Sequence, residues 1–289
     1  MRIAVTGSHG FIGSALVPSL ERQGHDVVRV TRDAAGQLDT GALYGSDAVV
    51  HLAGEGVAAK RWTSEQKRKV LESRTKGTAL VAETIAGMDH KPRVLLSASA
   101  VGYYGSRGDE VLTEKSGPGA DFLADVCVQW EASTAAAEAA GIRVVHLRTG
   151  IVVGKSGGAL AKTLPLFKLG LGGRIGSGRQ WWSWISLTDE IGAITFLLDH
   201  DIAGPVNLTG PEPVTNAEFT KSVGRALHRP TLLPVPMFGP RLLLGREAAD
   251  AVAGANQRVE PAVLSDAGYP FVHPTVDDAT RAELTNSRQ

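Results

Sequence analysis

Cysteine is nearly absent: Cys127 is the only thiol in 289 residues, which excludes an internal disulfide and any zinc site built from cysteines. An excess of either charge is absent too. Thirty Lys and Arg residues balance thirty Asp and Glu residues, and without a basic block or tail the chain carries no footprint of a nucleic-acid or membrane-surface binder. No apolar run is long enough to span a bilayer, and Met1 leads directly into a strand-like segment with no charged and then apolar leader. These absences set the expectation of a cytoplasmic protein whose partner is a small molecule. His9, His51 and His146 stand in no i, i+4 pair, so no metal site is expected. Aromatic residues are sparse at 6%, yet three of the five tryptophans crowd into Trp181, Trp182 and Trp184.

Glycine is plentiful, and its placement carries information. The chain begins Met1-Arg-Ile-Ala-Val-Thr-Gly-Ser-His-Gly-Phe-Ile-Gly13, a short apolar strand that breaks into glycines at every third position. Glycine at such a junction allows a tight turn, lets the backbone approach a pyrophosphate and lets the next helix pack closely. That helix, Ser14 to Gln23, presents free N–H groups and a partial positive charge to the phosphates. A second strand, Asp26 to Thr31, ends at Arg32-Asp33, about 20 residues past the glycines, where this arrangement meets the adenine ribose. A guanidinium there pairs with the 2′-phosphate of NADP, and a carboxylate accepts from the 2′-hydroxyl of NAD. Arg32 comes first, which favours NADP(H) over NAD(H); Asp33 reverses the choice if the strand ends one residue later.

Strand-like and helix-like stretches then alternate, the pattern of an α/β protein with a doubly wound parallel sheet. Ala48 to Leu52, Arg93 to Ser97 and Ile142 to Arg148 read as strands, and Ser64 to Ala86 and Phe122 to Ala140 as helices. From Ile151 glycines multiply and the pattern loosens. The expected division is a dinucleotide-binding core over 1–155 and a mixed substrate-binding region over 156–289, with segments that return to the core sheet. A late helix is expected from Gly239 or Pro240 towards Gly254.

The blocks Thr6-Gly-Ser-His-Gly-Phe-Ile-Gly13, His51-Leu-Ala-Gly54, Ser97-Ala-Ser-Ala-Val-Gly-Tyr-Tyr-Gly105, Leu147-Arg-Thr-Gly-Ile-Val-Val-Gly154, Gln180-Trp-Trp-Ser-Trp-Ile185 and Asn256-Gln-Arg-Val259 resemble the extended short-chain dehydrogenase/reductase superfamily. The specific resemblance is to its atypical epimerase-like subgroup, within the NAD-dependent epimerase/dehydratase family, whose C-terminal region has no assigned chemistry. It covers nearly the whole chain and implies a Rossmann-type fold with a smaller C-terminal α/β substrate lobe. A homodimer is common in the superfamily. The resemblance also implies that Gly7, Gly10, Phe11, Ile12 and Gly13 line the pyrophosphate and that Thr31 and Arg32 meet the adenosine phosphate. Leu52, Ala53 and Gly54 would pass under the ribose and adenine, Arg74 would add a cofactor contact, and Ile151 would touch the nicotinamide half through its backbone.

Ordinary members of that superfamily place a Ser or Thr hydroxyl and a Tyr-x-x-x-Lys pair over the nicotinamide, the lysine lowering the tyrosine pKa from about 10 toward neutrality. No Tyr-x-x-x-Lys occurs here. The matching helix, Phe122-Leu-Ala-Asp-Val-Cys-Val-Gln-Trp-Glu131, puts Phe or Leu at the tyrosine place and Val or Cys at the lysine place; Cys127 there reads as a small buried hydrophobe. Ser99 matches the hydroxyl position, Tyr103 or Tyr104 is left to handle the proton, and Lys69 is a remote third candidate. Trp181, Trp182 and Trp184 are expected to wall the substrate, because indoles supply apolar area with one donor each. Strand alternation would send Trp182 and Trp184 to one face and Trp181 to the other, with Arg174 and Arg179 beside them for an anionic group. Two functions stay open: an NADP(H)-binding oxidoreductase or epimerase-like enzyme acting on a small carbonyl, hydroxyl or sugar-nucleotide substrate, and a non-catalytic NADP(H)-binding sensor or interaction protein.

Overall fold

The computed structural model describes residues 1–32, 38–57 and 60–285; Asp33, weighed above as a ribose contact, lies outside them. β1 (Arg2–Thr6) runs into the glycine turn and α1 (Phe11–Arg22), and β2 (Asp26–Val30) returns parallel to β1 with Ile3 opposite Val27. Next come β3 (Ala48–His51), α2 (Ser64–Ala86), β4 (Val94–Ala100), β5 (Val111–Leu112), α3 (Phe122–Ala132), α4 (Ala135–Ala139), β6 (Arg143–Thr149) and β7 (Ile151–Val153). The second half holds α5 (Gly158–Lys168), β8 (Trp181–Trp182), β9 (Trp184–Ser186), α6 (Leu187–Asp199), β10 (Gly204–Leu208), β11 (Val214–Thr215) and α7 (Asn216–Leu227). It closes with α8 (Phe238–Leu244), α9 (Arg246–Val252), β12 (Arg258–Val259), α10 (Ala262–Asp266) and α11 (Val276–Thr285).

Six strands form one parallel sheet in the order β10-β6-β4-β3-β1-β2, a Rossmann-type doubly wound arrangement. Its strands are apolar on both sides because helices cover both faces. Ile3, Val5, Leu96 and Leu147 pack toward Leu16 and Leu20 of α1 and Ile194 of α6. The alternate residues Ala4, Val49, Leu95 and Val144 pack toward Val81 and Ile85 of α2 and Ala137 of α4. The strand order turns back between β1 and β3, the crevice in which open α/β sheets take ligands, and the glycine turn after β1 and the segment Leu52 to Gly54 after β3 both end there.

A second core joins α5, β9, α7 and α11 through Leu160, Leu164, Phe167, Trp184, Phe219, Val223 and Val276, while α6 and β10 belong to the main sheet. Two expected helices are broken. The stretch Phe122 to Ala140 divides at Ser133 and Thr134, whose hydroxyls bond back to the carbonyls of Gln129 and Glu131, a local competition that ends helices; Thr134 also meets His146 Nε2 at 3.0 Å. The late helix divides at Gly245, held at φ +83°, a conformation that interrupts α-helical geometry.

The alternation expected of the tryptophans holds, but its outcome for Trp184 differs from a substrate wall. Trp182 and Trp184 share one face, and that face is the second core: Trp184 is 1% exposed, its Nε1 donates to the Glu212 carbonyl at 2.9 Å, and Trp182 meets Phe219 edge-on. Trp184→Ala should therefore cost about 3–5 kcal/mol of stability in urea unfolding, whereas Trp181→Ala, on the opposite face, should stay within about 1 kcal/mol of the parent.

Candidate functional site

The glycine turn is a cradle only a chain without side chains can form. Gly7 sits at φ +66°, and a Cβ there would come within 2.8 Å of the Leu52 carbonyl carbon; one on Gly13 would come within 2.3 Å of the Gly7 oxygen. Gly10 caps α1 with no side-chain bond, which leaves the first-turn N–H groups of Phe11, Ile12 and Gly13 open to an anion. The Phe11 ring is turned the other way, filling the space left by Gly154, Gly157 and Gly158. Beside the ends of β2 and β3 an open cleft of about 630 Å³ is bordered by Arg32, Lys60, Lys69 and Lys76, with Glu55 and Glu72 as its acids. Lys69 pairs with Glu65 at 2.6 Å and belongs to this cleft. His51 lies on its inner wall, with Thr6 Oγ1 at 2.8 Å from Nδ1; burial and the nearby Arg32 cation push its pKa down to about 4.

At the ends of β4 and β6 a buried polar network takes over. Arg148 donates from Nε and Nη2 to the two oxygens of Glu131, both at 2.8 Å, and from Nη1 to the Tyr104 oxygen at 3.0 Å. Tyr104 in turn donates to Asn207 Oδ1 at 2.7 Å, and Ser99 donates to Glu131 Oε1 at 2.6 Å. Burial would lower the Arg148 pKa, but its bonds to Glu131 and the Tyr104 dipole raise it above the ordinary value.

Tyr104 is therefore a correction among the expected acid–base groups: it is fully buried, both sides of its hydroxyl are engaged, and burial pushes its pKa up to about 12. Tyr103, half-buried, stacks its ring face under the Arg148 guanidinium with 3.4 Å between Cζ and the ring centre. Ser99 is 4% exposed and committed to Glu131, so it serves a substrate only by giving up that bond.

α3 carries the alternatives weighed for the missing tyrosine and lysine. Leu123 and Cys127, one turn apart, face the strand end: a Cβ on Gly102 would lie 3.6 Å from Leu123 Cβ and 3.7 Å from Cys127 Sγ. Burial, then Glu131, pushes the Cys127 thiol up to about 12, so it stays protonated. Arg74 lies against the same helix, its Cζ 4.8 Å from the Trp130 ring. Ile151 donates its N–H to the Ser183 carbonyl at 2.8 Å.

Of the expected wall, Trp181 is the member outside the second core. Its Nε1 donates to Asp109 at 2.7 Å, and the Arg258 guanidinium lies over its ring at 4.6 Å. Arg174 instead donates to the carbonyls of Gly176 and Ser177 in its own turn. Glu131, Arg148 and Arg258 escaped sequence reasoning as functional groups. Their blocks were visible, but partners 17 or 77 residues apart carry no periodic signal.

A glycine cradle at the turning point of a parallel sheet, with a mixed second lobe, defines a Rossmann-fold protein of the extended short-chain dehydrogenase/reductase kind. The chain belongs to the NAD dependent epimerase/dehydratase family, whose model matches residues 3–209; a domain of unknown function, DUF1731, matches 235–283. It is 44% identical to the epimerase family protein Mb2239 of Mycobacterium bovis, over 96% of this chain and 95% of the relative. The human epimerase family protein SDR39U1, solved with NADPH, is 33% identical with a TM-score of 0.90, covering 98% of this chain and 99% of that one. A Thermus thermophilus UDP-glucose 4-epimerase solved with NAD shares the fold at 20% identity, with a TM-score of 0.77 over 98% and 97% of the two chains.

Next to the network, Thr149 donates to Glu190 at 2.9 Å, while Glu190 Oε2 has no partner among the described residues and burial pushes its pKa up to about 8. A carboxyl whose folded pKa exceeds its unfolded value binds more protons when folded, so stability falls as pH rises from about 4.5 to about 8. His51 acts in the opposite sense, stability falling as pH drops from 6.5 to about 4. From about pH 4.5 to 6.5 the two slopes oppose and largely cancel, so denaturant unfolding across pH 4–9 should show stability falling between about pH 6.5 and 8, with a slope of up to about 1.4 kcal/mol per pH unit, and Glu190→Gln should flatten that fall.

Proposed function

We propose that the protein binds NADP(H) and uses it in the reversible reduction of a small carbonyl compound. The observation that carries the cofactor choice is the cleft beyond β2, where Arg32, Lys60, Lys69 and Lys76 outnumber Glu55 and Glu72, a balance that suits a 2′-phosphate better than a bare ribose. The cradle of Gly7, Gly10 and Gly13 fits the pyrophosphate, since a Cβ at Gly7 or Gly13 would collide with backbone. The human relative's NADPH supports the same choice. Bound NADPH supplies the hydride.

The proton falls to Tyr103, because Tyr104 is locked by Asn207 and Arg148. Its phenol donates to the oxygen that becomes a hydroxyl, and the Arg148 cation against its ring stabilises the phenolate left behind until solvent returns the proton. Trp181 and Arg258 border the substrate side, and the Arg258 guanidinium, with no hydrogen bond among the described residues and a buried Nε, suits a substrate carrying an anionic or strongly polar group. The second reading, a binding protein without turnover, is favoured by Leu123 and Cys127 in place of the usual pair.

Calorimetric titration with NADPH and NADH tests the cofactor assignment. NADPH should bind at least about tenfold more tightly, and Arg32→Ala should erase the difference while leaving NADH unchanged; equal affinities in the parent refute it. NADPH oxidation across a panel of carbonyl compounds tests the chemistry, with Tyr103→Phe expected to lower kcat by about 10²–10⁴ at unchanged NADPH affinity. Binding without turnover on any member would leave the sensor.

A further inference from the structure

The balance of charge over the whole chain hides a local imbalance. The segment 155–188 carries five Lys and Arg residues and no Asp or Glu, and the segment 219–246 carries another five and again no acid. The fold brings the two together. Arg229 Nε donates to the Lys168 carbonyl at 2.8 Å, the Val235 N–H donates to the Arg174 carbonyl at 2.8 Å, and the Gly176 N–H donates to the Val235 carbonyl at 3.0 Å. A Cβ on Gly173 would collide with the Leu233 carbonyl oxygen, so the seam closes only because a glycine stands there.

Apolar side chains stand out along this seam. Leu169 and Leu171 follow α5, Leu232 and Leu233 lie across the seam from them, and Phe238 and Leu242, one turn apart, share a face of α8; all six are 53–88% exposed. Single exposed leucines are ordinary on a protein surface, but a cluster of this size marks a contact site. Beside it an open cleft of about 500 Å³ is lined by Lys221, Arg225, His228 and Arg229 and by no acid. Arg225 is paired with Asp277, whereas Lys168, Lys221 and Arg229 form no ion pair among the described residues.

We propose that this face docks the protein on the surface of an anionic lipid bilayer, the leucines and Phe238 entering the boundary between headgroups and acyl chains while Lys168, Lys221 and Arg229 meet lipid phosphates. Among the described residues no helix is long and apolar enough to cross a membrane, so the contact is peripheral. Peripheral attachment is strongest where two signals combine, apolar area to bury and cations to meet negative headgroups, and the seam supplies both. Long Lys and Arg stems lie along the apolar part and keep their charges at the level of the phosphates. The residue types favour lipid over protein: protein interfaces are anchored by Trp, Tyr and Arg and seldom by leucine, whereas five of the six exposed side chains here are leucines and the charges around them have one sign.

Co-sedimentation of the full chain with vesicles tests this. The parent should bind vesicles of equal parts phosphatidylcholine and phosphatidylglycerol, bind phosphatidylcholine alone at least about tenfold more weakly, and weaken on the mixed vesicles as salt rises from about 0.1 to about 1 M. Two double variants at exposed positions separate the signals: Leu232→Ser with Leu233→Ser, and Lys168→Glu with Lys221→Glu. Each should lower affinity for the mixed vesicles by about tenfold or more, with thermal unfolding unchanged as the folding control. Equal binding to both kinds of vesicle, or parent affinity retained by either double variant, overturns the proposal. A parent that does not sediment with the mixed vesicles also overturns it and leaves the face to an acidic protein. Sedimentation velocity without lipid covers the remaining occupant: a parent dimer that the leucine variant splits into monomers assigns the face to a second copy of this chain and overturns the proposal as well.

Discussion

The ion pair between Arg148 and Glu131 is the constraint on which the site is built. It joins the end of β6 to α3, and through Ser99 and Tyr104 it also fixes the end of β4 and the turn beyond it. Tyr104 passes the connection to Asn207 on β10, whose Nδ2 donates to the Glu260 carbonyl and whose N–H donates to Glu114. Two ions taken out of water repay their desolvation only with close geometry and every remaining donor met, and here the guanidinium fork is matched to both carboxylate oxygens. Removing one partner strands the other as a buried charge, a loss of about 3–5 kcal/mol. Tyr103 inherits its placement from this pair, since its ring has the Arg148 plane on one side and Tyr104 edge-on at 5.3 Å.

The network also accounts for what was legible beforehand. The glycine turn, the strand before it and the bounds of α2 depend on local rules of turn geometry and periodicity, and residues 1–13 and 64–86 obey them. Where a side chain competes with the backbone those rules fail, as at Thr134, whose hydroxyl has carbonyl, carboxylate and imidazole partners within reach. Trp184 shows a different limit. Alternation identifies which residues share a face and says nothing about which face another element will cover; α5, α7 and α11, all distant in sequence, decide that. Arg148 and Glu131 are of the same kind, because a long-range pair is written in the fold and not in any spacing.

The two sides of the site obey different physics. The cleft beside the ends of β2 and β3 is open and its cations are exposed, two of them, Lys69 and Lys76, already paired with carboxylates one helical turn away, so salt screens it. The strand-end network is buried and tied by hydrogen bonds, and its charges act at lower dielectric than in water. On the proposed NADP(H) reading, the first selects the ligand by charge and the second orients it.

Losing the Tyr-x-x-x-Lys pair does more than subtract two groups. A buried lysine shifts its pKa readily, so a site built on one changes its own charge as pH or ligand changes. Arg148 is held charged by Glu131, and a guanidinium stays protonated in proteins. Cys127, at the vacated position, is pinned in its neutral form, and Tyr104 is pinned likewise. The electrostatic background around Tyr103 is then constant. Such a site gives up the tuning a lysine provides and gains a field that depends only on packing, which is why the buried pair at its centre governs both the fold of this region and its chemistry.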